Sequence, residues 1–87
     1  MTYAIYLSPR SRRALEVDLP EAVAAACIEF IFGPLAENPH RVGKSLRGEL
    51  AGFYAARRGE FRVIYTIHED RVAVRVISIR HRRDVYS

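Results

Sequence analysis

The apolar residues in the first half of the chain recur every three or four positions, which is the period of a helix. The longest such stripe predicts a helix over residues 20–37, which ends before Pro39. A shorter helix is predicted over residues 9–17, because Ser8 followed by Pro9 is a favoured helix start. We expect the two segments to form a helical hairpin.

An alternation of period two replaces this pattern in the second half and predicts strands. It is clearest over residues 61–68, and further strands are predicted over residues 52–57 and 71–79. Residues 3–7 form a short β-prone segment, whereas residues 40–50 are polar and are predicted to be a loop. The order β-α-α-β-β-β favours an α+β fold. In it, a helical hairpin packs on one face of a mainly antiparallel four-stranded sheet, and the other face stays free.

Size and composition limit the possible classes of protein. With 87 residues, 49% of them hydrophobic, the chain is expected to form a single domain over residues 1–87. One cysteine, Cys27, forms neither an internal disulfide nor a zinc site alone. No apolar run approaches the roughly 20 residues of a membrane span, and the N-terminus lacks signal-peptide features. We therefore expect a soluble cytoplasmic protein.

Positive charge is concentrated in the second half of the chain. The net charge is +4, and residues 41–87 hold eleven of the fourteen basic residues but only five of the ten acidic ones. Thirteen of the basic residues are arginine, whose guanidinium group binds phosphates in a bidentate manner. The pattern favours a polyanionic partner, nucleic acid before membrane. A solvated basic surface is the alternative.

The sequence contains no nucleotide-binding glycine loop and no His-Glu-x-x-His or Cys-x-x-Cys motif, so no metal or cofactor is expected. What remains is arginine beside aromatic residues. Arg57 and Arg58 end one predicted strand and Arg62 begins the next, while His81 and Tyr86 follow the last strand. RNA cleavage by the 2′-hydroxyl needs cations around the phosphate together with a base and an acid. These residues fit that chemistry, with a plain binding surface as the alternative.

Three segments, residues 38–48, 52–65 and 81–86, resemble toxins of the RelE/ParE superfamily, nearest the RelE branch of bacterial toxin–antitoxin systems. The second and third are similar to the family signatures R-x-G-x-Y-R-V-I-Y and H-R-R-x-V-Y. This resemblance implies a small α+β toxin that enters the ribosomal A site and cuts mRNA there without a cofactor. It also implies a RelB-like antitoxin that wraps and silences the toxin, and contact with operator DNA only through that antitoxin.

The same resemblance implies roles for individual residues. Arg62 matches the arginine that contacts the scissile phosphate, and Arg82 matches the one that stabilises the transition state. Tyr86 matches the tyrosine that stacks on RNA and helps to activate the 2′-hydroxyl, and His81 is a replacement acid or base. The other cations expected to bind RNA are Lys44, Arg47, Arg57, Arg58, Arg80 and Arg83.

One departure from the family keeps other functions open. The strand before Arg57 reads Phe53-Tyr54-Ala55-Ala56 and lacks the two active-site lysines of the best-known RelE toxin. Charge stabilisation then falls to Arg57, Arg58 or Lys44. The alternatives are a ParE-like toxin that poisons gyrase, or a catalytically weak toxin that acts mainly as antitoxin partner and transcriptional co-repressor.

Overall fold

The computed structural model describes residues 2–81 of the chain, and its strands form one mixed sheet in the order β1-β5-β4-β3-β2. The pairs β5-β4, β4-β3 and β3-β2 are antiparallel, whereas β1 and β5 are parallel. The α+β class expected from the sequence is confirmed. The strands are β1 Ala4–Leu7, β2 Lys44–Ser45, β3 Tyr54–Arg58, β4 Phe61–His68 and β5 Ala73–His81.

The helical hairpin lies between β1 and β2. Helix α1 begins at Pro9 with Ser8 as its N-cap, as the sequence predicts. A wider, π-helical turn extends each of the first two helices, and the second of these turns accommodates Pro34, which has no N–H to donate. The helices are α1 Pro9–Arg13, α2 Glu21–Phe30 and α3 Pro39–Val42, the π-helical turns are Ala14–Asp18 and Ile31–Leu35, and Gly48–Leu50 is a 3₁₀ turn.

The hydrophobic core lies between the hairpin and one face of the sheet. Its side chains are at most 1% exposed, and burial of apolar area on this scale is the main stabilising term in a small domain. The members from the hairpin are Cys27, Ile31 and Leu35, and those from the sheet are Ala56, Val63, Tyr65, Val74 and Val76. We call the side of the sheet away from the hairpin the open face.

Several boundaries differ from the sequence prediction. Strand β3 is Tyr54–Arg58 rather than residues 52–57, and β5 extends to His81, which therefore lies within the last strand and not after it. The segment predicted as a loop contains β2, a two-residue edge strand that pairs with β3 and makes five strands instead of four. Strand β5 starts at Ala73 because Arg71 and Val72 belong to the preceding turn, where Val72 has a φ of 49°. No helix in the described part of the chain is long and apolar enough to span a membrane.

A β-bulge in β5 reverses the alternation of its side chains. Val76 pairs with Tyr65 while Ser78 pairs with Ile64, which leaves Ile77 as one extra residue. Val74 and Val76 face the core, but beyond the bulge the even-numbered residues face the open side. Ser8 stabilises this bulge by donating from its hydroxyl oxygen to the Ile77 carbonyl over 2.7 Å.

Tyr65 joins the core to the segment that precedes β2. Its ring is fully buried and stacks on Tyr54 with centroids 5.6 Å apart, and its hydroxyl donates to the Pro39 carbonyl over 2.5 Å. Burial, with a smaller contribution from Tyr54, raises the pKa of Tyr65 to about 12.

This raised pKa makes stability depend on pH in the alkaline range. In the unfolded chain the Tyr65 pKa returns to about 10. The stabilisation of the folded state that the raised pKa provides is therefore complete below pH 10 and is lost as pH rises through 12. We expect Tyr65 alone to lower the free energy of unfolding by about 2–3 kcal/mol across that range. Urea unfolding at several alkaline pH values, compared with Tyr65→Phe, measures this. An equal decline in both proteins would contradict the assignment.

Candidate functional site

Three arginines lie side by side across the open face, on three neighbouring strands. Arg57 of β3 pairs with Arg62 of β4, and Arg62 pairs with Arg80 of β5. Directly opposed residues in a sheet have Cβ atoms about 4.5–5.5 Å apart, so each guanidinium is within reach of its neighbour. We call these three residues the arginine row. Like charges in this arrangement repel one another, which favours an anionic ligand between them.

Lys44 adds a fourth cation at the edge of the sheet. It lies on β2 and pairs with Ala55, which shares the open face with Arg57. Lys44, Arg57 and Arg62 line one cavity of about 480 Å³, together with apolar residues and no carboxylate. The structure therefore brings together the predicted RNA-binding residues Lys44, Arg57 and Arg80 around Arg62.

The charges of this cluster are not neutralised within the described part of the chain. Within residues 2–81, the ion pairs involve other groups, and none joins Lys44 or the arginine row to a carboxylate. Arg57, Arg80 and Lys44 are exposed and Arg62 is half-buried. Cations that are concentrated on one face without counter-charges attract a polyanion and focus it at that face.

Two predicted site residues lie on the opposite side of the sheet. His81 pairs with Phe61, their rings 5.0 Å apart, and its Nε2 is 3.3 Å from a Glu60 carboxylate oxygen. Arg58 lines a depression with Cys27 of α2 and with Phe61. The structure does not place His81 or Arg58 with Arg62, because neighbouring positions along a strand point to opposite faces.

The remaining predicted residues divide into two groups. Arg82, Arg83 and Tyr86 lie outside the described residues. Arg47 is exposed just before the 3₁₀ turn. It lines neither the cavity that contains Lys44 and Arg57 nor a second, apolar cavity that Arg62 also lines. No group of three or more His, Cys, Asp or Glu residues placed to hold a metal occurs between residues 2 and 81.

An apolar cavity beside the row was not predicted. Leu46, Leu50 and Phe53 come from the segment between β2 and β3 and line a cavity of about 320 Å³ with Arg62 and Arg80. Its signal in the sequence is an apolar residue, Leu50, in a polar loop that holds two glycines.

This arrangement can stabilise negative charge on a phosphate. Arg62, flanked on both sides by arginine and with Lys44 nearby, can oppose charge that develops on a pentacoordinate phosphorus. Fixed cations act more strongly than mobile ions because they need no reorganisation as charge develops. The described residues around Arg62 can thus supply the positive charge that phosphodiester cleavage needs.

Comparison with known proteins identifies the family of the chain. The family model for the ParE toxin of the type II toxin–antitoxin system parDE matches residues 11–86. The chain is 46% identical to Toxin RelE of Mycobacterium tuberculosis over 84 residues, covering 97% of this chain and 86% of the relative. It is 43% identical to Toxin RelG of the same organism over 86 residues, covering 99% and 98%.

A solved structure supports the same assignment. The toxin–antitoxin complex RelBE of Mycobacterium tuberculosis contains a chain that superposes with a TM-score of 0.88 at 41% identity, covering 93% of this chain and 99% of that one. Both the sequence and the fold match over nearly the full length. The chain therefore belongs to the RelE/ParE family of type II toxin–antitoxin toxins, as a RelE-like member.

Proposed function

We propose that this toxin is a metal-independent endoribonuclease that cleaves mRNA in the ribosomal A site and so stops translation. The 2′-hydroxyl loses its proton as its oxygen attacks the adjoining phosphorus. The bond from phosphorus to the 5′-oxygen breaks and that oxygen takes up a proton, which gives a 2′,3′-cyclic phosphate and a free 5′-hydroxyl. Arg62 binds the scissile phosphate, with Arg57, Arg80 and Lys44 adding positive charge. Arg82 and Tyr86, outside the described residues, remain the proposed partners for transition-state stabilisation and activation of the 2′-hydroxyl.

The arginine row is the observation that carries this proposal. Arg57 and Lys44 supply cations where the strand before the hairpin has no lysine, and both line the same cavity as Arg62. A surface that only binds the nucleic-acid backbone can carry its cations at any spacing, whereas the row places three on adjacent strands with Arg62 in the middle. Fixed cations in neighbouring positions suit the negative charge that develops in phosphoryl transfer.

We also propose a RelB-like antitoxin as the natural partner, because a similar toxin forms a RelBE complex. An acidic segment of the antitoxin laid over the open face would neutralise Lys44 and the arginine row. Bound there, it would exclude RNA and silence the toxin in the cytoplasm, where ribosomes work.

Primer extension on a translated mRNA tests the proposal. Purified toxin added to a translation reaction is expected to produce cuts at the codon in the A site, and none when ribosomes are absent. Because the matching family model describes ParE toxins, a parallel reaction contains gyrase and supercoiled DNA. DNA breaks without mRNA cuts would replace the proposal with gyrase poisoning. If a folded protein that binds its antitoxin gives neither mRNA cuts nor DNA breaks, only the role as antitoxin partner and co-repressor is left.

A further inference from the structure

The apolar cavity on the open face shares Arg62 with the cationic cavity, so the two lie next to each other. Its lining is apolar except for Ser78 and the two arginines, and it contains no carboxylate. A volume of about 320 Å³ lies at the lower end of the range for small-molecule sites. The apolar members of the lining are Leu46, Leu50, Phe53, Ala55, Ile64 and Ile77.

The loop over residues 46–53, which supplies three of the nine residues that line this cavity, has a defined conformation. The amide of Leu46 donates to the Phe53 carbonyl over 2.8 Å, and that of Phe53 donates to the Leu50 carbonyl over 3.0 Å. Gly48 and Gly52 have φ values of 67° and 96°, which side chains other than glycine rarely allow. The loop thus holds Leu50 against the open face.

Leu50 is nevertheless 54% exposed. A single exposed apolar side chain is ordinary, but Leu50 lies with Leu46 and Phe53 in one mostly apolar cavity. A mostly apolar cavity with a few polar groups, formed in part by a loop of defined conformation, is typical of a ligand site.

We infer that this cavity holds the base of the nucleotide that adjoins the phosphate on Arg62. This inference rests on the proposed function and adds to it a base-binding subsite. A nucleotide whose phosphate lies in the cationic cavity must place its base within one nucleotide length, and the adjoining cavity offers apolar contact there. Arg62 and Arg80 also line this cavity. Guanidinium groups stack on flat aromatic faces, and a nucleotide base offers such a face.

Charge favours RNA over an apolar protein side chain as the occupant. The cavity is bounded by two cations that the structure pairs with no carboxylate in residues 2–81, and it continues into a region with two more. A purely apolar peptide anchor gains nothing from these charges, whereas a nucleotide uses both its base and its phosphate. Base contacts of this kind tolerate any base, since each base has a flat apolar face.

The test measures single-turnover cleavage on ribosomes that carry mRNAs with an abasic nucleotide on either side of the cut. For the parent toxin, loss of the base at one of these positions is expected to slow cleavage. Leu50→Ser is expected to slow cleavage of intact mRNA by roughly 5- to 100-fold, the effect of losing one large apolar contact with the base. The variant should then be insensitive to base removal, because the contact is already absent.

Phe32→Ser is the matched control, because Phe32 is exposed to nearly the same extent, 52%, but lies on the helical side. It is expected to cleave at the parent rate, and thermal unfolding confirms that both variants fold. Leu50→Ser with the parent rate, or with undiminished sensitivity to base removal, would overturn the subsite while leaving the nuclease intact. So would an effect of Leu50→Ser on antitoxin affinity alone. A parent toxin that does not cleave overturns the proposed function and the subsite together.

Discussion

Replacing Arg62 by alanine is expected to lower the rate of mRNA cleavage by about 10²–10³-fold, the usual cost of removing one preorganised charge-stabilising group. Arg62 lies at the centre of the arginine row and lines both the cationic cavity and the apolar cavity beside it. It is half-buried, so its guanidinium is less screened by water than those of Arg57 and Arg80. Single-turnover cleavage at saturating toxin measures the effect on the chemical step rather than on ribosome binding.

Arg58→Ala is the matched control, because it removes the same charge from the same hairpin but from the opposite face of the sheet. We expect its rate to stay within about threefold of the parent, since an exposed charge on the opposite face acts on the row only weakly through water. Equal losses for Arg58→Ala and Arg62→Ala would mean that net charge matters and the row does not. A fully active, folded Arg62→Ala would remove the proposed phosphate site.

The sequence predicts the long elements of the fold because each buries a continuous stripe. Strand β4 is found at the predicted residues 61–68, where apolar residues alternate with others, and the hairpin helices follow their predicted spacing closely. Strand β2 has only two residues, both exposed, and pairs through backbone groups with β3. A strand of this length has no side-chain period, so only its partner reveals it.

The site was only partly predictable, and the β-bulge is the reason. Strict alternation along β5 places Arg80 on the same face as Val74 and Val76, and His81 on the face of Arg62. The extra residue at Ile77 exchanges these positions, so Arg80 joins the row and His81 contacts Phe61. Ser8, almost 70 residues away in the chain, bonds to the carbonyl at this bulge. The alternation of residues along β5 in the sequence does not reveal such a long-range contact.

The position of Lys44 depends on the residue before it. A Cβ atom at Gly43 would overlap the Tyr65 hydroxyl and approach the Ala55 carbonyl oxygen to 3.0 Å. Gly43 has extended backbone angles that any residue can adopt, so the conflict is one of space alone. Tyr65 cannot move aside, because its ring is fully buried and stacked on Tyr54. The backbone at Gly43 must therefore shift away from β3.

Gly43→Ala is accordingly expected to lower the free energy of unfolding by about 2–4 kcal/mol, the sum of overpacking and a strained or broken bond from Tyr65 to Pro39. In a domain of this size each kcal/mol corresponds to about 4–8 °C in Tm, so thermal unfolding by circular dichroism should show a fall of at least about 8 °C. Gly33→Ala is the control, because a Cβ at Gly33 meets nothing within 4 Å and alanine favours a helical backbone. Its Tm should equal or exceed that of the parent. A Gly43→Ala protein that melts with the parent would show that the Tyr65 contact tolerates a methyl group. It would also show that this contact does not fix Lys44 beside the arginine row.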